Sequence, residues 1–368
     1  MNTFCHPMQL SRFSGLTPRL LFVATKAPAN LPLRPATSQF WGPCQTRRKH
    51  NSKAPKPVRN SPGKQIQHGE SSIPQKVRLE DVAWPKVNLR QLRPAIWALV
   101  VSGGIFTGLA YLQAKQEVKA NKPQGWLKAP QWVTQNRGPP TPTELATQWW
   151  TQLNPVSKVT CGIIATNSAV HISSFLVPQY WDLLWHIPAR NVNYTLLTSA
   201  FVHSGPLHLF FNMYATYNFM RPVGYSPAFE GNPYSILSFF LATGILSGFA
   251  QHWATLISPR KRAIPDMFIR CGGASGALLG ILGVFCMEYP DSGLGIMLLP
   301  FYFEAQYVLP AIMLFDFVGM VRGYSFVNFG HAAHLSGTLI GVAYSYLDGK
   351  NNLWNPLVRF WKRRLQQS

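Results

Sequence analysis

Seven stretches of the chain are apolar over close to the ~20 residues that a helix needs to cross the ~30 Å hydrocarbon core of a bilayer. They cover 94–113, 159–177, 200–220, 234–257, 271–287, 305–321 and 332–347. The first is bracketed by Arg90, Arg93, Lys115 and Lys119, and the second is the weakest because it carries Thr160, Asn167 and His171. A linker containing Pro and Trp separates them. Its TPTELATQWW end reads as a short interfacial helix, since paired Trp side chains favour the headgroup level. The run 294–303 is too short to span alone and reads as part of the connection into the sixth crossing. The expected architecture is an all-α polytopic membrane protein of one helix, a linker and six further helices. Its segments are 1–93 (a disordered basic leader), 94–113 (the extra helix), 114–155 (linker), 156–347 (the six-helix domain) and 348–368 (a basic C-terminal tail).

Some of these helices carry side chains that hydrocarbon penalises. His203, His208 and Asn212 lie near the start of the third crossing, Ser275 near the start of the fifth and His334 near the start of the seventh. Strongly polar groups at such depth face the bundle interior and mark function. Even numbers of crossings separate the three segments, so their starts open on one side of the membrane. At ~1.5 Å of rise per residue, Ser275 is expected roughly 6 Å inside its helix and His334 at a similar or smaller depth. Gly272, Gly276 and Gly280 form a smooth stripe beside Ser275, and Ala333, Gly337 and Gly341 form a matching one beside His334. Small residues at four-residue spacing let helix backbones approach closely in lipid. Alone, such a stripe is an ordinary packing device. With these neighbours it would bring Ser275 Oγ within reach of a His334 nitrogen, the minimum arrangement for an activated serine. Asp316, near the end of the sixth crossing, reads mainly as a structural hydrogen-bonding residue, with tuning of the site as the lesser reading. His203 and His331 read as cap or loop-edge residues.

Charge separates the chain into two unlike parts. The 368 residues hold 34 Lys+Arg against 13 Asp+Glu, a net +21, and only 13% are charged, about half the ~25% typical of a soluble domain. Residues 1–93 contain 16 of the basic side chains and three acids, Glu70, Glu80 and Asp81. From Met1 to Gly69 there is no acid at all. An acid-free start with Arg and Ser and only short apolar runs reads as a mitochondrial transit peptide. A nucleic-acid-binding tail is disfavoured because aromatic residues are absent between Arg47 and Lys64. The five cysteines form no CxxC and have no His partners at metal-ligand spacing, so neither a disulfide framework nor a structural zinc is expected. There is no HExxH, and Ala277 stands where a GxSxG elbow needs Gly. A soluble two-domain enzyme is excluded, and no metal, cofactor or nucleic-acid partner is expected.

Gly273-Ala274-Ser275-Gly276, His208-Leu209-Phe210-Phe211-Asn212 and Ala333-His334-Leu335-Ser336-Gly337 with Gly341 resemble the GxSG, HxxxN and AHxxGxxxG motifs of rhomboid intramembrane serine proteases. The resemblance covers about 159–347, and motif order and helix count agree with it. The additional helix in front and the HAAHLSG stretch resemble the mitochondrial, presenilin-associated rhomboid-like branch. The resemblance implies a Ser275–His334 dyad with no third carboxylate, His334 serving as general base and then general acid. It also implies oxyanion donation by His208 and Asn212, together with the Ser275 backbone N–H. Implied partners are the lipid bilayer and single-pass membrane substrates of the mitochondrial inner membrane, such as a dynamin-like GTPase or a peroxidase precursor. Two departures stand out: Trp185 and Arg190 replace the adjacent Trp-Arg pair of many relatives, and Leu279 occupies the place of a histidine-stacking Tyr. The rival classes are an inactive rhomboid-like protein that escorts transmembrane helices, disfavoured because serine and histidine are both present, and a small transporter, disfavoured because the polar set gathers at one end of the helices instead of the midplane. If the leader leaves the N-terminus in the matrix, the dyad opens towards the matrix. The Arg260-Lys261-Arg262 loop fits that orientation and the basic tail opposes it.

Overall fold

The computed structural model describes residues 84–121, 139–257, 264–295, 300–324 and 330–367, all within one unit. The leader up to residue 83, linker residues 122–138 and the Arg260-Lys261-Arg262 loop lie outside the described residues. The described chain is mostly helical: α1 (Leu92–Ala120), α2 (Pro142–Gln152), α3 (Pro155–Leu176), α4 (Pro178–Leu184), α5 (Thr195–Thr198), α6 (Pro206–Gly224), α7 (Pro233–Ile257), α8 (Ser275–Glu288), α9 (Ala305–Val321), α10 (His331–Tyr346) and α11 (Asn355–Gln367). Pro opens α2, α3, α4 and α6, where its fixed φ is preorganised for a helix and its missing N–H costs nothing. Thr141 and Glu144 form a reciprocal capping box on α2, and Asn154 accepts from the Ser157 N–H to start α3.

By length and composition, α1, α3 and α7 are able to cross a membrane, while α8 and α9 are apolar but shorter. A small antiparallel hairpin, β1 (Gly293–Gly295) with β2 (Tyr302–Glu304), departs from the all-α expectation. It occupies the run read as a connection, where the chain is too short to form another crossing and its backbone groups pair with each other instead.

The bundle has two ends of different chemistry. At one end lie the starts of α1, α6, α8 and α10 and the finish of α7. His252 near the end of α7 bonds the Arg90 carbonyl just ahead of α1 at 2.9 Å, Gly273 N–H donates to the Ser199 carbonyl, and Ala333 N–H donates to the Gln251 side chain at 3.2 Å. At the other end Tyr234 OH donates to Gln116, Ser345 OH to Glu288 and Trp354 Nε1–H to Gln113. Between them runs the main core, including Ile163, Met220, Ile236, Phe240, Leu278 and Ile281.

The C-terminal segment, expected as a basic tail, folds for most of its length into α11. Leu357, Val358, Trp361 and Leu365 fall on one face at helical spacing and pack with Trp354 against Phe106, Leu109, Ala110 and Ala114 of α1. A Lys362–Glu117 ion pair and an edge-to-face contact between Tyr111 and Trp361 at 5.3 Å fasten the same seam.

Candidate active site

Close backbone packing of α8 on α10 positions the candidate residues. A β-carbon placed on Gly337 would run into the Gly276 carbonyl oxygen, and one on Gly341 into that of Gly280. A β-carbon on Gly280 would stand 3.2 Å from the Gly337 carbonyl, and one on Gly283 would meet the Thr338 carbonyl at 2.7 Å. Glycine at these four positions therefore lets the two backbones touch. Gly272 needs correction. It precedes α8 and faces the Trp185 ring and the Val202 carbonyl, because Cys271 is paired in a bridge with His186 and Gly273 bonds Ser199. Those bonds hold 271–273 out of the helix, so α8 begins at Ser275 itself and not four residues earlier.

Ser275 is the first residue of α8 and His334 the fourth of α10. His334 Nε2 lies 2.8 Å from Ser275 Oγ. Both are half-buried. The first N–H groups of a helix have no intrahelical acceptor, so those at the start of α8 point to the region around Ser275 with the positive end of the helix dipole behind them.

His208, the third residue of α6, lies beside this pair. A β-carbon on Gly273 would meet its Cε1 at 2.8 Å and its Nε2 at 3.0 Å, with Ser275 Oγ at 3.8 Å. Gly273 also has φ +133°, so glycine is needed there for backbone conformation as well as for space. The Ser204 N–H donates to His208 Nδ1 at 3.4 Å and the Ser204 hydroxyl is 3.1 Å away. An accepting Nδ1 puts the proton of the neutral ring on Nε2, the nitrogen facing the serine. Asn212 is buried one turn further along α6 and donates from its amide to the His208 carbonyl at 2.8 Å; its Oδ1 has no partner among the described residues.

Two residues read as edge groups take inner positions. His203 is fully buried, touches the His208 ring at 4.9 Å between centroids and accepts a long bond from the Ala274 N–H. His331 is also buried, and its Nδ1 is 2.7 Å from Asp316 Oδ1. The same oxygen lies 3.4 Å from His334 Nδ1. A carboxylate therefore does stand behind the histidine, against the expectation of none. The sequence offered only a lone acid in an apolar run; the pairing of α9 with α10 that brings it there has no local signature.

A serine hydroxyl, an imidazole against it and convergent N–H donors at one end of a helical bundle define a membrane protein with a serine-hydrolase-like constellation. Residues 190–351 match the family model described as Rhomboid domain. The chain is similar to proteins named presenilin-associated rhomboid-like protein, mitochondrial: 31% identical over 223 residues to the Homo sapiens protein and likewise to that of Mus musculus, covering 58% of this chain and 55% of each relative. It is 26% identical over 179 residues to rhomboid protein 1, mitochondrial, of Saccharomyces cerevisiae, covering 47% of this chain and 49% of that protein. The chain spans about half the length of the curated relatives it matches.

Proposed function

We propose that the chain is an intramembrane serine endopeptidase that cleaves single-pass membrane proteins. The observation that carries this reading is the 2.8 Å approach of His334 Nε2 to Ser275 Oγ. In the reaction, His334 Nε2 takes the hydroxyl proton as Oγ bonds the scissile carbonyl carbon, and the imidazolium then protonates the departing amine. Water, deprotonated by the same nitrogen, attacks the acyl-serine ester, releasing the new carboxyl terminus and restoring Ser275. His208 Nε2–H and the first N–H groups of α8 stabilise the oxyanion; Asn212, one turn deeper, serves as the further donor. Donors of this type are typically worth about 3 kcal/mol each. No cofactor takes part.

The architecture assigned to this activity is α1 followed by six rhomboid helices, α3 and α6 to α10. The mitochondrial inner membrane is the proposed location: the acid-free, basic leader supports import, and the similar proteins carry the word mitochondrial in their names. The test is cleavage of a co-expressed single-pass reporter together with labelling by a fluorophosphonate probe. The wild-type chain is expected to cut and to be labelled, and Ser275→Ala to do neither at normal abundance. Cleavage by Ser275→Ala at the wild-type rate removes the reading.

A further inference from the structure

Asp316 is the only acidic side chain among the buried polar residues described, and its place is prepared on three sides. It sits on α9, 2% exposed. Gly319, on the same face, leaves the room that the His331 ring fills: a β-carbon there would meet Cγ, Nδ1 and Cε1 of His331 at 2.6 Å. Phe315 and Tyr324 stack on each other at 4.7 Å and meet His331 edge-on at 5.5 and 5.4 Å. Tyr324 OH donates to the Phe315 carbonyl, closing this clamp. His331 and His334 are separated by three residues on α10 and so present their rings to the same side. Asp316 Oδ1 consequently meets two imidazoles, His331 Nδ1 at 2.7 Å and His334 Nδ1 at 3.4 Å.

An ionised carboxylate only accepts hydrogen bonds. Facing Asp316, each Nδ1 is therefore the protonated nitrogen. For His334 that tautomer leaves the Nε2 lone pair directed at Ser275 Oγ, as a general base requires. The two distances differ in kind. The contact to His331 is a full hydrogen bond, whereas 3.4 Å is beyond the usual N–H···O range of 2.7–3.2 Å. In the resting site His331 holds the oxygen, and His334 has a weaker share of it.

We infer that Asp316 is a positioning residue that sets the tautomer of His334 and steadies its imidazolium, and that His331 regulates this support by competing for the same carboxylate oxygen. The inference rests on the proteolytic reading above and deepens it. When Ser275 gives up its proton, the positive charge formed on His334 attracts Asp316 Oδ1, and the 3.4 Å contact tightens. The titratable groups facing the cluster are His331 and His334 from α10, His208 from α6 and Tyr324 from the segment after α9; α8 contributes the Ser275 hydroxyl and α7 the uncharged Gln251 amide near the start of α10.

The test is the pH profile of kcat and KM for the full chain in proteoliposomes, cutting a single-pass reporter. Asp316→Asn keeps the shape and removes the charge. It is expected to lower kcat about 10²-fold, to change KM less than about twofold and to move the acidic limb of kcat to lower pH, with Asp316→Glu recovering part of the loss. His331→Asn is expected to move the same limb the opposite way, because the oxygen is no longer held by a second imidazole. A folded Asp316→Asn protein with the wild-type rate and limb overturns the inference. Should Asp316→Asn fail to fold, His331→Asn decides: a limb moved upward supports the inference and an unmoved limb overturns it. A wild-type chain with neither cleavage nor Ser275-dependent probe labelling sinks the proteolytic reading itself, whereas an active wild type with indifferent Asp316 and His331 variants sinks only this inference.

Discussion

The two ends of the bundle are built on opposite principles. The end that holds Ser275 and His334 buries polar groups and joins them through bonds between chain-distant segments: Thr195 to His186, His186 to His252, His252 to Arg90, Asp316 to His331. The far end buries rings. Phe229, Phe239 and Tyr344 pack together with centroids 4.8 to 5.5 Å apart, and Trp354, 1% exposed, closes over α1. Burying a polar group is costly unless its partners are fixed, whereas apolar rings gain from contact in many orientations. The first end can therefore hold reactive groups in register, at a cost in stability that the second end offsets.

The sharpest way to break this division is at the seam shared by both ends. Gly337→Leu forces α10 off the Gly276 carbonyl and should lose stability and cleavage together, read as a lower unfolding temperature and reporter turnover near background. His208→Ala strikes the polar end alone. Turnover should fall about 10²- to 10³-fold with KM and unfolding temperature nearly unchanged, and a rise confined to KM would remove it from the oxyanion site. Trp354→Ala strikes the ring end. A loss of about 3–5 kcal/mol is expected, measured by denaturant unfolding in detergent, while turnover per folded molecule stays the same.

Acid separates the ends more gently. Burial, with the neighbouring His252 second, pushes His186, in the loop ahead of the third crossing, from 6.5 down to about 3. In the unfolded chain it takes up a proton below about 6.5, while in the folded chain it does so only near 3. Stability at the polar end should accordingly fall as pH drops through that window and be constant above it, seen as faster amide exchange at 186–203 before 344–358. The smallest effect belongs to Lys362→Ala. Its pair with Glu117 is about one-third exposed on both sides and contributes less than about 1 kcal/mol.

What could be read in the sequence depended on distance along the chain. The helices followed from local hydropathy, and the meeting of Ser275 with His334 from two glycine stripes and an even number of crossings. The start of α8 was missed because it is set by Cys271 pairing with His186, 85 residues earlier in the chain, and by the positive φ of Gly273. α11 was legible in principle, since Leu357, Trp361 and Leu365 recur every four residues, but its basic residues obscured the stripe. Asp316 could be located in its helix; that its oxygen would be divided between His331 and His334 depends on how α9 lies against α10, which no local pattern encodes.

The brevity of α8 has a consequence for reagent supply. Its 14 residues rise about 21 Å, in a lipid slab about 30 Å deep. Were Glu288 held at one aqueous boundary, Ser275 would stop about 9 Å below the other. On the proteolytic reading, that shortfall would leave Ser275, with His334 and His208 beside it, below the lipid surface yet within reach of water. On that reading, a substrate helix entering there would exchange oily surroundings for moisture, and its own coil would lose the incentive to stay wound at the proposed point of cleavage.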